Sequence, residues 1–304
     1  MNQTTLKRRP FLAGLASLST LAFASSQSQA ASETDICAKF GLKLAVQQYS
    51  FIRQLKSGEL PLLDYPAKVV NGTGIKAIEY FNGAMPEKEN NTQFFKLLRQ
   101  RCDDLDAVST LMLCRSSHAL DSSDAKIRSK SVESYKPWIE AMKTLGGEFI
   151  RVDVRSPGNY RSQLDYAEAG LNELCDYAAS QQIGILVENH GNYSSNGRWL
   201  AELMRRLNRP NCGTLADFQN FHSYDFYKGV QEIMPAAHVV CAKSKAFDAS
   251  GNETHVDYGR MMNIVVKSGF KGWLGIEFEG HDIEPVEGIL ATKKLIENVL
   301  TKMA

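Results

Sequence analysis

The 304-residue sequence has almost no net charge: 35 basic residues stand against 34 acidic ones. Three of the basic residues, Lys7, Arg8 and Arg9, fall in the first thirty positions, where there is no acid at all. The remainder is therefore slightly acidic and offers no basic field for gripping a phosphate backbone, which excludes nucleic acid as an expected partner. No apolar run reaches the roughly 20 residues that a membrane-spanning helix needs, so no membrane span is expected. No Gly-x-Ser-x-Gly is present, which disfavours a serine hydrolase with a nucleophile elbow. No Gly-x-Gly-x-x-Gly follows the first strand-like run, and dinucleotide binding loses its main signal. No Cys-x-x-Cys occurs among the six cysteines, Cys37, Cys102, Cys114, Cys175, Cys212 and Cys241. Several of them lie in apolar runs, where a thiol behaves as a small hydrophobe, so free buried thiols are expected.

What is present begins with an address. Lys7-Arg8-Arg9 precedes Pro10-Phe11-Leu12, a short apolar run, and small residues at Ser28 and Ala30. This is the order of an export signal, here of twin-arginine type, with a cut expected after Ala30 and a periplasmic destination. Residues 31–304 carry no linker, charge run or low-complexity stretch and read as one domain. With 43% hydrophobic and 23% charged residues, the composition is that of an ordinary globular protein.

Eight β-rich runs recur along the mature part: KLAVQQ from 43, IKAIEY from 75, AVSTLM from 107, EFIRVD from 148, IGILVE from 183, CGTLAD from 212, HVVCAK from 238 and WLGIEF from 273. Each interval has room for a loop and a helix. The clearest helical stretch places Leu164, Ala167, Leu171, Leu174 and Ala178 on one face. Eight such units in about 270 residues predict an α/β fold, a closed (β/α)8 barrel.

In that architecture the site forms at the carboxyl ends of the strands. Polar residues that close an apolar run are thus the candidates: Glu79, Glu188, Asp217 and Glu277. Carboxylates converging in one mouth repel one another unless a cation or shared protons offset the charge, so a divalent metal ion is expected. Oxygen-rich donor sets suit Mn²⁺ or Mg²⁺, and added imidazole or thiolate shifts preference toward Zn²⁺ or Co²⁺. His190, two residues after Glu188, is placed in the same mouth. His222, His238, His255 and His281 are weaker candidates, and His118 reads as a solvated loop residue.

The segments ENHGNYSSN, GTLADFQNF, HVVCAKSKAFDASGNETHVDYGRMM and GFKGWLGIEFEG resemble, in order and spacing, the second half of the xylose-isomerase-like TIM barrel family. That family includes sugar isomerases and epimerases and their deglycosidase and lyase relatives. The resemblance implies a metal held by Glu188, Asp217, the residue at position 241 and Glu277. Relatives read like Val-His-Ala-Lys-Ser where this chain has Val240-Cys241-Ala242-Lys243-Ser244, so Cys241 replaces the expected histidine; Gln219 stands where glycine is expected.

The implied activity is isomerisation or epimerisation of an unphosphorylated sugar or keto-sugar by proton abstraction next to a carbonyl. Glu188 and Glu277 would exchange protons with adjacent carbons. Tyr49, Glu79, His190 and Lys243 would bind substrate, with Tyr49 and Trp273 giving apolar faces to the ring. The partner is a small-molecule carbohydrate, and an oligomer is compatible with the sequence. Two alternatives use the same barrel: a 3-keto-glycoside lyase on the same metal site, and a catalytically silent carbohydrate-binding protein.

Overall fold

The computed structural model describes residues 35–304 apart from Pro86, so the expected export segment lies outside the described residues. Eight strands, β1 (Leu42–Gln47), β2 (Ala77–Phe81), β3 (Val108–Leu113), β4 (Phe149–Val152), β5 (Gly184–Glu188), β6 (Cys212–Asp217), β7 (Ala237–Ser244) and β8 (Gly272–Phe278), coincide with the eight β-rich runs. They pair in sequence order, all parallel, and β8 pairs back onto β1 to close the barrel. The fold class read from the sequence is therefore the one observed. Strands covered on both faces have no solvent side, which is why they read as apolar runs and not as alternating ones. Among the described residues no helix is long and apolar enough to cross a membrane.

Six of the helices that follow strands begin where short polar side chains satisfy free backbone N–H groups. Asn91, Asp124, Asn159, Asn196, Asp225 and Asp257 each accept from the first turn of the helix that follows. The five apolar positions of the 160–180 helix are all buried, as their spacing predicts. In the same helix Gly170 lies against the Leu120 carbonyl, and a Cβ there would come within 2.0 Å of that oxygen. All six cysteines are free and buried.

The register of the barrel decides what reaches its mouth. Cys241 stands opposite Gly275 and Lys243 opposite Glu277 across the β7–β8 pair, while Asp217 stands opposite Cys241 across β6–β7. Side chains on a strand alternate with period two, so Cys241 and Lys243 share a face.

Candidate active site

Glu188, Asp217 and Glu277 end or nearly end their strands, and all three are buried at the carboxyl end of the barrel. Ligand atoms of Asp217, Cys241 and Glu277 lie within 4.8 Å of one another. The Cys241 thiol points at Glu277 Oε2, 3.5 Å away. Lys243 Nζ sits 2.9 Å from Glu277, 3.3 Å from Asp217 and 3.2 Å from Glu279. Burial works against this ammonium, yet Asp217 and Glu277 outweigh it and hold its pKa well above the ordinary lysine range.

Glu188 ends β5, the strand next to β6, and lies outside that set of mutually close ligand atoms. Arg151 Nη2 lies 2.6 Å from its Oε2, and Asn220 Nδ2 donates to its Oε1 at 2.9 Å. Arg151 also donates to Asp153 at 2.9 Å. Burial opposes the guanidinium charge, and Glu188 and Asp153 more than restore it, so Arg151 is raised above its ordinary range. His190 lies 3.6 Å from Asp153, and burial lowers its pKa, leaving a neutral ring at neutral pH. Gln219 donates to the Lys243 carbonyl at 3.1 Å, a tie between the β6 loop and β7 that glycine could not make.

Tyr49, Arg151, Glu188, His190, Lys243 and Glu277 line one notch of about 80 Å³ at the barrel mouth. That is far below the roughly 300–1,000 Å³ of small-molecule pockets, so a sugar would place only its reacting carbons inside it. A larger cleft of 690 Å³ lies away from the mouth, lined by Tyr227, His255 and the end of the last helix, and includes none of these groups.

Two expected substrate-binding positions are elsewhere. Glu79 does not end its strand, since β2 continues to Phe81; it stands beside Gln47 in the barrel interior and is fully buried. Its carboxylate lies against Gly275, where a Cβ would come within 2.5 Å of Oε2. Burial pushes the Glu79 carboxyl up to about 8; the Gln47 amide relieves part of this without a well-aligned hydrogen bond. Trp273 is near the start of β8, at the opposite end of the barrel. It lies under Lys43 Nζ, 5.0 Å from the ring centroid, and donates to Glu148, so it offers no face to a ligand at the mouth.

The donors fit a divalent cation. Glu279 is shared between Lys243 and Lys245, so the buried carboxylates of Asp217 and Glu277 have the one ammonium of Lys243 between them, and negative charge is in excess there. Two oxygens and a sulfur within mutual reach suit a borderline ion such as Zn²⁺ better than Mg²⁺. Without such an ion the thiol keeps its proton, because burial and the Asp217 and Glu277 charges hold it well above the ordinary cysteine range.

Fold and mouth together define a (β/α)8 barrel with a polar site at the carboxyl ends of its strands. The chain belongs to the xylose isomerase-like TIM barrel family, whose model matches residues 67–299. Solved structures of similar fold include a D-allulose 3-epimerase from Methylomonas sp., with 14% identity, TM-score 0.67, and 85% of this chain and 98% of that one covered. The IOLI protein with a bound zinc atom is similar at 17% identity and TM-score 0.67, over 86% of this chain and 98% of that one. The 3-keto-D-glucoside 4-epimerase YcjR from E. coli is similar at 10% identity and TM-score 0.63, over 84% and 99%. No curated protein matches the sequence.

Proposed function

We propose that the chain is a metal-dependent sugar isomerase or epimerase acting on an unphosphorylated sugar or keto-sugar by moving a proton next to a carbonyl. The observation that carries this reading is the convergence of Asp217, Cys241 and Glu277 at the mouth, with Glu188 lining the same notch and fixed by Arg151 and Asn220. Asp217, Cys241 and Glu277 would hold the cation, with Glu188 completing the set. The bound cation would polarise the carbonyl and adjacent hydroxyl oxygens and so favour the enediolate.

The chain's own groups do the rest. Glu188 takes a proton from one carbon and Glu277 delivers one to that carbon or its neighbour. Arg151 and Asn220 keep the Glu188 carboxylate in one orientation, so little reorganisation is needed as the proton moves. Lys243 donates to developing oxygen charge, and the neutral His190 ring can accept from or donate to a hydroxyl. Tyr49, whose ring meets Phe81 edge-on at 5.4 Å, offers the apolar wall. The similarity in fold to sugar epimerases supports the class of substrate. The test is a panel of ketoses, aldoses and keto-glycosides given to Zn²⁺-, Mn²⁺- and Co²⁺-loaded protein. Interconversion of a sugar with its epimer or isomer is expected; release of an aglycone in its place would assign a lyase.

A further inference from the structure

A second cavity opens at the same end of the barrel. Its volume is 580 Å³, and it lies between the loops that follow β4, β5 and β6. That size falls in the range of small-molecule sites, whereas the catalytic notch, at about 80 Å³, falls below it. The two spaces have no lining residue in common, but their linings adjoin along the chain: His190 and Asn220 line the notch, and Asn192 and Phe221, close to each in sequence, line the cavity. Ser195, which lines the cavity, donates to the carbonyl of notch-lining Asn220 at 2.5 Å and ties the two linings together.

The lining has the chemistry of a saccharide ring. Tyr193 presents a half-buried ring backed by Trp199, with which it stacks at 5.8 Å, and its hydroxyl is anchored on the Gly158 carbonyl at 2.8 Å. Tyr224 is anchored likewise, through Glu232 at 2.6 Å. Such anchored aromatics give flat apolar faces that do not have to be ordered on binding. His222 and Ser223 are exposed and make no side-chain hydrogen bond among the described residues, so their donors and acceptors are open to hydroxyls. His222 and Asn192 both hold left-handed backbone, φ +50° and +47°. Non-glycine residues adopt this at some cost, and such strain gathers where a loop is shaped for a ligand.

We infer that this cavity is a subsite for a second sugar ring, so that the substrate is a glycoside or disaccharide whose reacting carbons enter the notch while the neighbouring ring rests between Tyr193, His222 and Tyr224. The inference rests on the proposed sugar chemistry but is tested apart from it, by binding of saccharides that carry no carbonyl and cannot react. The probes are trehalose, the methyl glycosides of maltose and cellobiose, and methyl glucoside, titrated into the full protein and followed by saturation-transfer NMR and calorimetry. At least one disaccharide should bind tenfold or more tightly than methyl glucoside. Ser223→Trp, which fills the cavity from an exposed position, should abolish that difference and leave methyl glucoside binding unchanged. His222→Gly, which keeps the backbone conformation and removes the ring, should reduce it, and a thermal melt of each variant confirms folding. Equal binding of mono- and disaccharides, or a disaccharide advantage that survives Ser223→Trp, overturns the subsite. Failure of proton exchange with disaccharide binding intact would overturn the proposed reaction and not the subsite.

Discussion

The guanidinium of Arg151 and the carboxylate of Glu188 face each other at 2.6 Å with side-chain exposures of 3% and 2%. Arg151 is shared with Asp153, so one buried cation serves two acids from neighbouring strands. Removing one partner of a buried pair strands the other charge and costs about 3–5 kcal/mol. Arg151→Met should therefore lower the unfolding free energy read from urea titration by that order and cut turnover as well, because Glu188 loses its fixed orientation. A stability loss below about 1 kcal/mol would show that the pair contributes little.

Cys241 is tested by metal binding. Its thiol is protonated until a cation is bound, so Zn²⁺ uptake should release a proton, read as a dependence of calorimetric heat on buffer ionisation enthalpy. Cys241→Ala should weaken Zn²⁺ binding at least tenfold, since changes one shell further out already cost 10–100-fold. Cys241→His should retain it. Unchanged metal content in the alanine variant would make this cysteine a packing residue.

Glu79 should shape the pH dependence of stability. Its carboxyl is raised from 4.5 to about 8 in the folded chain, chiefly by burial. Between those values the folded state holds a proton that the unfolded chain has lost, so stability falls as pH rises, by up to about 1.4 kcal/mol per unit from this group, and levels off above 8. Glu277, pushed up to about 7 by burial against the opposing pull of Lys243, adds a slope of the same sign. Glu79→Gln stays neutral throughout and should flatten the curve between pH 5 and 8. Parallel curves for the two proteins would place the slope elsewhere.

The proposed export route rests on Arg8 and Arg9 ahead of an apolar run. Replacing both by lysine should strand the precursor in the cytoplasm, as seen by fractionation. Unchanged export would refute the twin-arginine assignment.

The barrel was legible because its regularity is local: a buried parallel strand must be a short apolar run, and each crossover must leave room for a helix. The acids at positions 188, 217 and 277 were legible for the same reason, since each interrupts such a run where the strand meets its loop. Arg151 was missed although the run FIRVD displays it. An arginine inside a strand acquires meaning only when the adjoining strand brings an acid against it, and no local pattern announces that. Asn220 and Glu279 were hidden likewise in loops. Glu79 and Trp273 were misplaced by reading runs without register. The IKAIEY run continues to Phe81, which puts Glu79 in mid-strand, and Trp273, second in its strand, belongs to the amino end.

The central claim is that Glu188 and Glu277 move a proton next to a sugar carbonyl, and hydrogen exchange reads this directly. Metal-loaded protein incubated in D₂O with keto-sugars and keto-glycosides should introduce deuterium at a carbon adjacent to the carbonyl of at least one substrate, seen by NMR even where net conversion is small. Glu188→Gln and Glu277→Gln should each reduce that incorporation at least a hundredfold while the fold, checked by thermal melting, is kept. Deuterium incorporation that persists undiminished in either variant, or its absence from every substrate with the metal stoichiometrically bound, would contradict the account.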